Sequence, residues 1–465
     1  MLQSPTKQKT DPIVETKRLL ADKIARAAQS SHVRNSKEES RVLRLDAPIS
    51  HADALSWLAA QPEPIKFYWK EREKHLETAA AGRVDLVSSD GPIDYEGLFS
   101  KLGQKLSLAD ADIRYYGGAR FNNDISPDRS WESYGSYRFF LPRFELRLDG
   151  GNGYLACNLL VSKDGKFSPS SILAELDAMV FPAKEEGKIP RLVSREDIPD
   201  RSIWGQNLTK ALDFLHKGSF KKIVLARKSA LKFDAKLNAF ALLRSLRRKT
   251  QDCFHFCFVP GPQTAFIGAS PERLYARQGR TLETEALAGT RPRGNNTRSD
   301  DKLAKELLQS EKDIREHQFV VDGIQEALSP LCQSLRMQDR LRLLKLARSQ
   351  HLLCTFQATL NHETTDAQLL RSLHPTPAVG GYPTANALPE IGRLESFDRG
   401  WYAGPIGWVG RDQAEFCVAI RSGLVEGSRL YLFAGAGIVE GSTAQGEWRE
   451  IENKMSDFIK VFAGS

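Results

Sequence analysis

The residues of this 465-residue chain best equipped for chemistry are two lysines and three glutamates, each at the edge of a short β-rich or glycine-rich run. Lys222 stands in KKIVLAR, Glu272 in GASPERL, Glu316 in SEKDIREH, and Glu450 with Lys454 in GEWREIENKM. A lysine can take a proton and a protonated glutamate can give one. Two further glutamates can hold a hard divalent cation through oxygen. Together they suit a metal-assisted reaction on an anionic substrate.

Asp313 and Glu316 are spaced i, i+3, as are Glu447 and Glu450, so on helices each pair shares a face. Lys454 follows Glu450 by one turn, and either segment alone reads as ordinary surface salt bridging. Two such acidic pairs, beside two glycine-rich runs and the isolated Lys222, point instead to a Mg²⁺ site built from carboxylates, waters and an anionic substrate. The first glycine run, Phe433 to Gly441 (FAGAGIVEG), is spaced one residue too widely for a dinucleotide fingerprint. No acidic residue closes a βαβ unit about 20 residues on. It reads as a carboxylate cradle, because glycine lets backbone N–H groups approach an anion closely. Leu287 to Gly294 (LAGTRPRG) reads as a second cradle, with Thr290 adding a hydroxyl.

These residues must be positioned by a sizeable fold. Hydrophobic residues make up 41% and charged residues 27%, an ordinary globular balance. No apolar run approaches the ~20 residues of a membrane span. The N-terminus, MLQSPTKQKT, lacks a hydrophobic signal core. Six cysteines show neither disulfide nor zinc-ribbon spacing. Cys253, His255 and Cys257 would share one face of a strand, but a fourth metal ligand has no obvious source. A cytoplasmic enzyme is expected. The net charge of +8 is not gathered in one block. Its densest run, Arg336 to Arg348, reads as a basic amphipathic helix or an alternating strand without interleaved aromatics. No nucleic-acid, membrane or obligatory protein partner is therefore expected.

Residues 1–46 form a polar N-terminal extension, with a helix from Ile13 to Ala27 and a loose serine-rich segment after it. Residues 47–200 form an N-terminal α/β region in which DGGNG at 149–153 marks a hairpin turn. The proline-punctuated, charged stretch 182–200 reads as the internal boundary. Residues 201–465 form the catalytic region, intertwined with 47–200 into one unit. Its expected helices include 202–217 and 301–329. Its expected strands are 222–232, 253–259, 264–268, 414–421 and 428–434.

In order along this region stand KIVLAR, GASPERL, ETEALAGTRPRG, SEKDIREH, HPTPAVGGYP, RGWYAGPIGW, FAGAGIV and GEWREIENK. This ordered set resembles the chorismate-utilising enzymes, which include isochorismate, anthranilate, aminodeoxychorismate and salicylate synthases. The upstream runs YYGGARF and FFLPRFEL resemble the isochorismate synthases of menaquinone biosynthesis, which extends the likeness over most of the chain. The resemblance implies a large α/β (α+β) fold with two extensive β-sheets packed face to face, helices outside and the site between the sheets.

It also implies Mg²⁺-dependent conversion of chorismate to isochorismate, with water added at C2 as the C4 hydroxyl leaves. Lys222 would activate the water and Glu272 would protonate the leaving group. Glu316 and Glu450 would hold Mg²⁺, with Asp313 and Glu447 acting on it through water. Lys454 and Arg421 would pair with the two substrate carboxylates. Gly289, Thr290, Gly435 and Gly437 would cradle them, and Ala378, Val379 and Tyr402 would line the substrate.

Three positions separate the relatives. Ala288 stands where aminodeoxychorismate synthases carry a nucleophilic lysine. Anthranilate synthases lack a lysine where Lys222 stands. Thr376-Pro-Ala-Val-Gly380 resembles the isochorismate type rather than the salicylate type, and His374 in that loop reads as structural or substrate-lining. A salicylate synthase and a catalytically inactive chorismate-binding homologue remain the alternatives. Menaquinone supply is the leading pathway, while siderophore or salicylate precursor supply would use the same chemistry.

Overall fold

The computed structural model describes residues 11–29, 41–109, 112–122, 127–162, 167–184 and 187–462. Two large sheets hold its strands. The first runs β1 (Arg41–Ile49), β8 (Asn152–Val161), β7 (Phe144–Asp149), β3 (Leu76–Ala81), β2 (Lys66–Lys70), β11 (Phe254–Gly261), β12 (Thr264–Ser270), β20 (Ser422–Glu426), β21 (Arg429–Ile438) and β10 (Lys222–Phe233). Both β17 (Gly381–Tyr382) and β9 (Leu192–Ile198) pair with β10. The second runs β15 (Cys332–Lys345), β16 (Ser349–Leu360), β14 (Thr281–Pro292), β13 (Arg273–Gln278), β19 (Gln413–Val418), β18 (Pro405–Val409), β5 (Tyr115–Ala119), β6 (Tyr137–Leu141) and β4 (Asp85–Ser89). Every pairing is antiparallel, so the α/β reading resolves to the α+β form.

The inner faces of the two sheets meet in an aromatic core. Phe67 of β2 lies 5.3 Å from the ring of Tyr116 of β5, and Phe258 of β11 lies 6.0 Å from Phe140 of β6. Trp69 of β2 donates to Glu415 of β19 across the same gap. Burying rings of this size supplies much of the apolar driving force, at roughly 150–250 Å² each. Strands from before and after residue 200 lie side by side in both sheets, β2 against β11 and β5 against β18. Helices Arg201–His216, Ala239–Lys249 and Ala444–Phe462 pack on the first sheet; Thr297–Gln309 and Glu311–Leu328 pack on the second. No helix among the described residues is long and apolar enough to cross a membrane.

Several local readings change. The expected helix over 301–329 is two helices, because Ser310 leaves the helical region at ψ 107 and caps the next helix by accepting from the Asp313 amide. The strand expected to reach 421 stops at Val418, and Arg421 follows at φ +49, in the left-handed region where a β-ladder cannot continue. Residues 41–46, placed in the N-terminal extension, belong to β1, which pairs with β8 along its whole length. The helix Pro12–Gln29 buries Leu20 and Ile24, while the serine-rich segment after it lies outside the described residues. The stretch 182–200 contains β9, which extends the first sheet at β10. Arg336 to Lys345 lies in β15, the strand alternative. At the DGGNG turn, Gly150 and Gly151 have φ +61 and +88 between the paired Asp149 and Asn152, the backbone that a two-residue hairpin of this kind requires.

Candidate active site

Lys222 opens β10, a run of apolar and β-branched residues buried over most of its length. Its side chain is completely buried, and its Nζ lies 3.0 Å from Glu316 Oε1. The distance makes an ion pair, but the angle makes no hydrogen bond, so the amine keeps its donors or lone pair for another partner. Glu316 arrives from the second turn of helix Glu311–Leu328, placed there by the Ser310 cap. Directly beside them, Gly437 of β21 pairs with Val224 of β10. A Cβ on Gly437 would collide with Glu316 Oε1 and come within 2.9 Å of Lys222 Cε.

This corrects one reading. The run FAGAGIV is the interior of β21 rather than a loop after it, and Gly437 is needed for the space it leaves. The 287–294 run likewise lies largely in β14, where the register against β16 shifts between Ala288 and Thr290. Gly289 sits at that bulge with φ +71, a conformation glycine adopts without strain. Thr290 shares a hydrogen bond of 3.0 Å with His351 Nδ1.

Glu272 lies between β12 and β13. Its backbone N–H donates to Ser270 Oγ, and its Oε1 accepts from Thr376 Oγ1 at 3.3 Å. Burial pushes its carboxyl up to about 8, and the Glu285 charge adds to the push against the opposing effects of Thr376, Lys222 and Lys454. Near neutral pH this side chain is therefore a carboxylic acid, able to donate.

Glu450 and Lys454 come from helix Ala444–Phe462, which is tied to β10 by buried Arg227. That guanidinium reaches Glu452 and lies 3.8 Å from the Trp448 ring. Lys454 Nζ donates to Glu450 Oε1 at 2.6 Å and to the Gly435 carbonyl at 3.0 Å. Burial raises the Glu450 carboxyl, but the Lys454 ammonium outweighs it and holds the group below the usual range. Glu447, one turn earlier, is raised by burial and by the Glu450 charge, and it accepts from Lys312 at 2.7 Å.

The 374–380 loop is held by Arg399, whose buried guanidinium donates to the carbonyls of Val379 (3.0 Å) and Val224 (2.8 Å) while pairing with Glu395. His374 turns away from the site: its Nε2 shares a hydrogen bond with the Phe121 carbonyl, and burial pushes it down to about 4.

These elements enclose a cavity with about 640 Å³ of empty space, part of it open to solvent. Glu272, Glu316, Glu450, Lys454, Arg421, Gly289, Thr290, Ala378, Val379, Tyr402, Gly435 and Gly437 all line it. Lys222 stands just behind Glu316. Asp313 and Glu447 do not line the wall: Asp313 is turned into an ion pair with Arg291 at 2.6 Å, and Glu447 into the one with Lys312. Sequence reasoning missed Thr376, which touches Glu272, and His351, which lines the wall. It also missed Lys312 and Arg399. Lys312 was visible inside SEKDIREH, and Thr376 inside HPTPAVGGYP. His351 and Arg399 carried no local signal.

Three carboxylates, Glu316, Glu447 and Glu450, are thus each paired with one lysine, Lys222, Lys312 and Lys454. Among the described residues, no group of three or more histidine, cysteine or acidic side chains is close enough to cage a metal unaided. Two glutamate carboxylates on one cavity wall are instead an oxygen donor set that fits a hard dication sharing its sphere with water and an anionic ligand.

Residues 24–463 match the family model described as chorismate binding enzyme. The chain is 31% identical to the chloroplastic isochorismate synthase of Catharanthus roseus, over 97% of this chain and 86% of that one. It is 34% identical to the isochorismate synthase MenF of Escherichia coli strain K12, over 90% of this chain and 92% of that one. The solved structure of the menaquinone-specific isochorismate synthase MenF from Escherichia coli superposes with a TM-score of 0.82 at 30% identity, covering 96% of this chain and all of that one. With its sequence and its fold in agreement, the chain belongs to the chorismate binding enzyme family.

Proposed function

We propose that this protein is an isochorismate synthase, converting chorismate to isochorismate. The observation that carries the reading is Glu272, a carboxyl held protonated near neutrality, on one cavity wall with Glu316, Glu450 and Lys454. The reaction adds water to C2 of the ring and expels the C4 hydroxyl. Lys222 takes a proton from the incoming water as its oxygen bonds to C2. The ring double bonds shift, the C4–O bond breaks, and Glu272 gives its proton to the departing oxygen, which leaves as water. Thr376 fixes the orientation of the Glu272 carboxyl. Lys454 and Arg421, both on the wall, bind the substrate carboxylates, and the small side chains of Ala378 and Ala288 leave room for the ring.

Glu316 and Glu450 would hold Mg²⁺, which when bound supplies electron withdrawal at the ring carboxylate. Asp313 and Glu447, one turn before Glu316 and Glu450 on the same helices, would act on the ion through water. A salicylate synthase, which also eliminates pyruvate, is the second reading. His374, the loop histidine that such an elimination could use, is turned to Phe121 and does not line the cavity, which favours isochorismate as the end product. Chorismate is proposed as the sole obligatory partner, menaquinone supply as the pathway and the cytoplasm as the location.

The direct test is chromatography of the products formed from chorismate and Mg²⁺, with and without chelator. Isochorismate that disappears with chelator supports the reading. Salicylate with pyruvate would move the protein to the second reading, and no turnover at all would leave a binding protein.

A further inference from the structure

The reaction cavity opens into a groove with about 1940 Å³ of empty space, and the two share Thr290, Arg421, Glu450 and Lys454. One wall of the groove is a stripe of helix Ala444–Phe462, on which Arg449, Asn453, Ser456 and Lys460 recur at one-turn spacing. The other wall is the end of β14 with the turn joining β15 to β16. Seven arginines and lysines line the groove against two acids, Glu450 and Asp457.

Some of this charge is spoken for. Arg291 pairs with Asp313, Arg293 with Asp300, Arg348 with Asp457 and Lys454 with Glu450. Arg449 and Lys460 are exposed, and neither side chain has an acidic partner among the described residues. At the outer end of the groove, like charges crowd one another. Burial, and then the nearby charges of Arg348, Arg248 and Lys460, lower the Lys249 ammonium. Repulsion of this kind weakens a fold unless an anion offsets it.

Three carboxylates of the inner site are each paired with a lysine, whereas Arg449 and Lys460 leave the groove with unpaired positive charge that adds to its long-range attraction for an anion. A cleft lined by one sign of charge focuses its field and raises anion on-rates by about 10- to 1000-fold, an effect that salt screens. Among the described residues the groove has no aromatic lining on which nucleic-acid bases could stack, so a small anion suits it better than a polyanion.

We infer that this groove is a collecting site for small dicarboxylates, in which Arg449 and Lys460 draw the substrate dianion from solution and pass it to Arg421 and Lys454 at the shared wall. The inference rests on the reading of the substrate as chorismate. Its test is stopped-flow binding of chorismate to the full chain, followed by tryptophan fluorescence, for wild type and the double variant R449E/K460E. In about 20 mM salt the variant's association rate falls about tenfold, with the dissociation rate and kcat within about twofold of wild type. The gap closes by about 0.5 M salt, where the Debye length is only a few ångströms. R449Q/K460Q gives a smaller loss in the same direction and covers the case in which the reversed charges perturb folding.

Equal association rates in wild type and variants, or a loss carried by dissociation, would overturn the collecting site. So would heparin displacing chorismate from wild type but not from the variant, which would mark a polyanion surface. A wild type that makes isochorismate but whose association rate ignores salt defeats this inference alone. A wild type that makes no isochorismate defeats the functional reading instead.

Discussion

Lys222 Nζ and Glu316 Oε1 lie 3.0 Å apart with the lysine side chain wholly out of reach of solvent. The pair joins the proposed base to a proposed metal ligand, so altering either one leaves the other without its partner. Breaking a buried pair leaves an uncompensated charge, at a cost of roughly 3–5 kcal/mol when burial is complete. Glu316 opens onto the cavity, which reduces that cost. Lys222→Ala should therefore fold, with a lowered melting temperature, and lose about 10²- to 10⁴-fold in kcat. Lys222→Arg keeps the pair but holds its proton, so it should melt near wild type and remain as inactive as the alanine variant. An active arginine variant would show that Lys222 is not the base.

Glu272 carries a pH signature. Its carboxyl moves from an ordinary 4.5 to about 8 on folding, so the folded state binds the proton more tightly than the unfolded chain. The stability this gives is complete below pH 4.5 and is lost progressively as pH rises to about 8. The rate should fall over the upper end of the same range as the acid form disappears. Glu272→Gln should lose about 10²- to 10⁴-fold in kcat. In thermal melts it should gain on wild type at about pH 9 but not at about pH 5. A difference independent of pH would contradict the protonated Glu272.

Glu316→Gln removes one of the two wall carboxylates while keeping its shape. By isothermal titration, the affinity for Mg²⁺ should weaken at least tenfold, on the order of what is lost when a metal site's supporting groups are changed. An unchanged titration would remove Glu316 from the metal site.

Gly437→Ala tests space rather than charge. Its φ is not in the left-handed region, so alanine is tolerated by the backbone, but the methyl would meet Glu316 Oε1 and Lys222 Cε. Overpacking of this kind costs about 1–3 kcal/mol. Activity should fall at least about tenfold, out of proportion to the modest change in a circular-dichroism melt. Wild-type turnover in this variant would mean that the Lys222–Glu316 geometry does not matter.

Arg399→Lys preserves charge but loses the planar fork that reaches the Val379 and Val224 carbonyls together. Losing these buried bonds should cost about 2–4 kcal/mol, and the freed 374–380 loop should raise KM more than it lowers kcat. Steady-state kinetics with a denaturant melt checks both effects.

Much of the site was legible because its residues occupy short runs with their own local logic. Lys222 begins an apolar strand, Glu316 follows a serine cap, and Glu450 and Lys454 share one helix face. The glycine runs were singled out, but as loops rather than strand interiors. Strand pairing, which is non-local, places Gly437 opposite Val224 and so makes it a spacer beneath Glu316. The same non-locality hid Arg399, whose partners Val224 and Val379 are distant in sequence. It also hid the turning of Asp313 towards Arg291. Helical spacing put Asp313 and Glu316 on one face, but it could not show which partner each would find. The break at Ser310 was written in the sequence as a capping residue before an acidic turn, yet apolar periodicity ran through it on both sides.

The central claim is that solvent water, activated by Lys222, becomes the new hydroxyl at C2 while the C4 oxygen departs. The most direct test is to run the reaction in oxygen-18-labelled water and locate the label by mass spectrometry and carbon NMR. The account requires one labelled oxygen in each isochorismate molecule, at C2, with the enolpyruvyl ether and carboxylate oxygens unlabelled. Unlabelled isochorismate would mean that the C4 oxygen migrates within the molecule, and Lys222 would then have no water to activate.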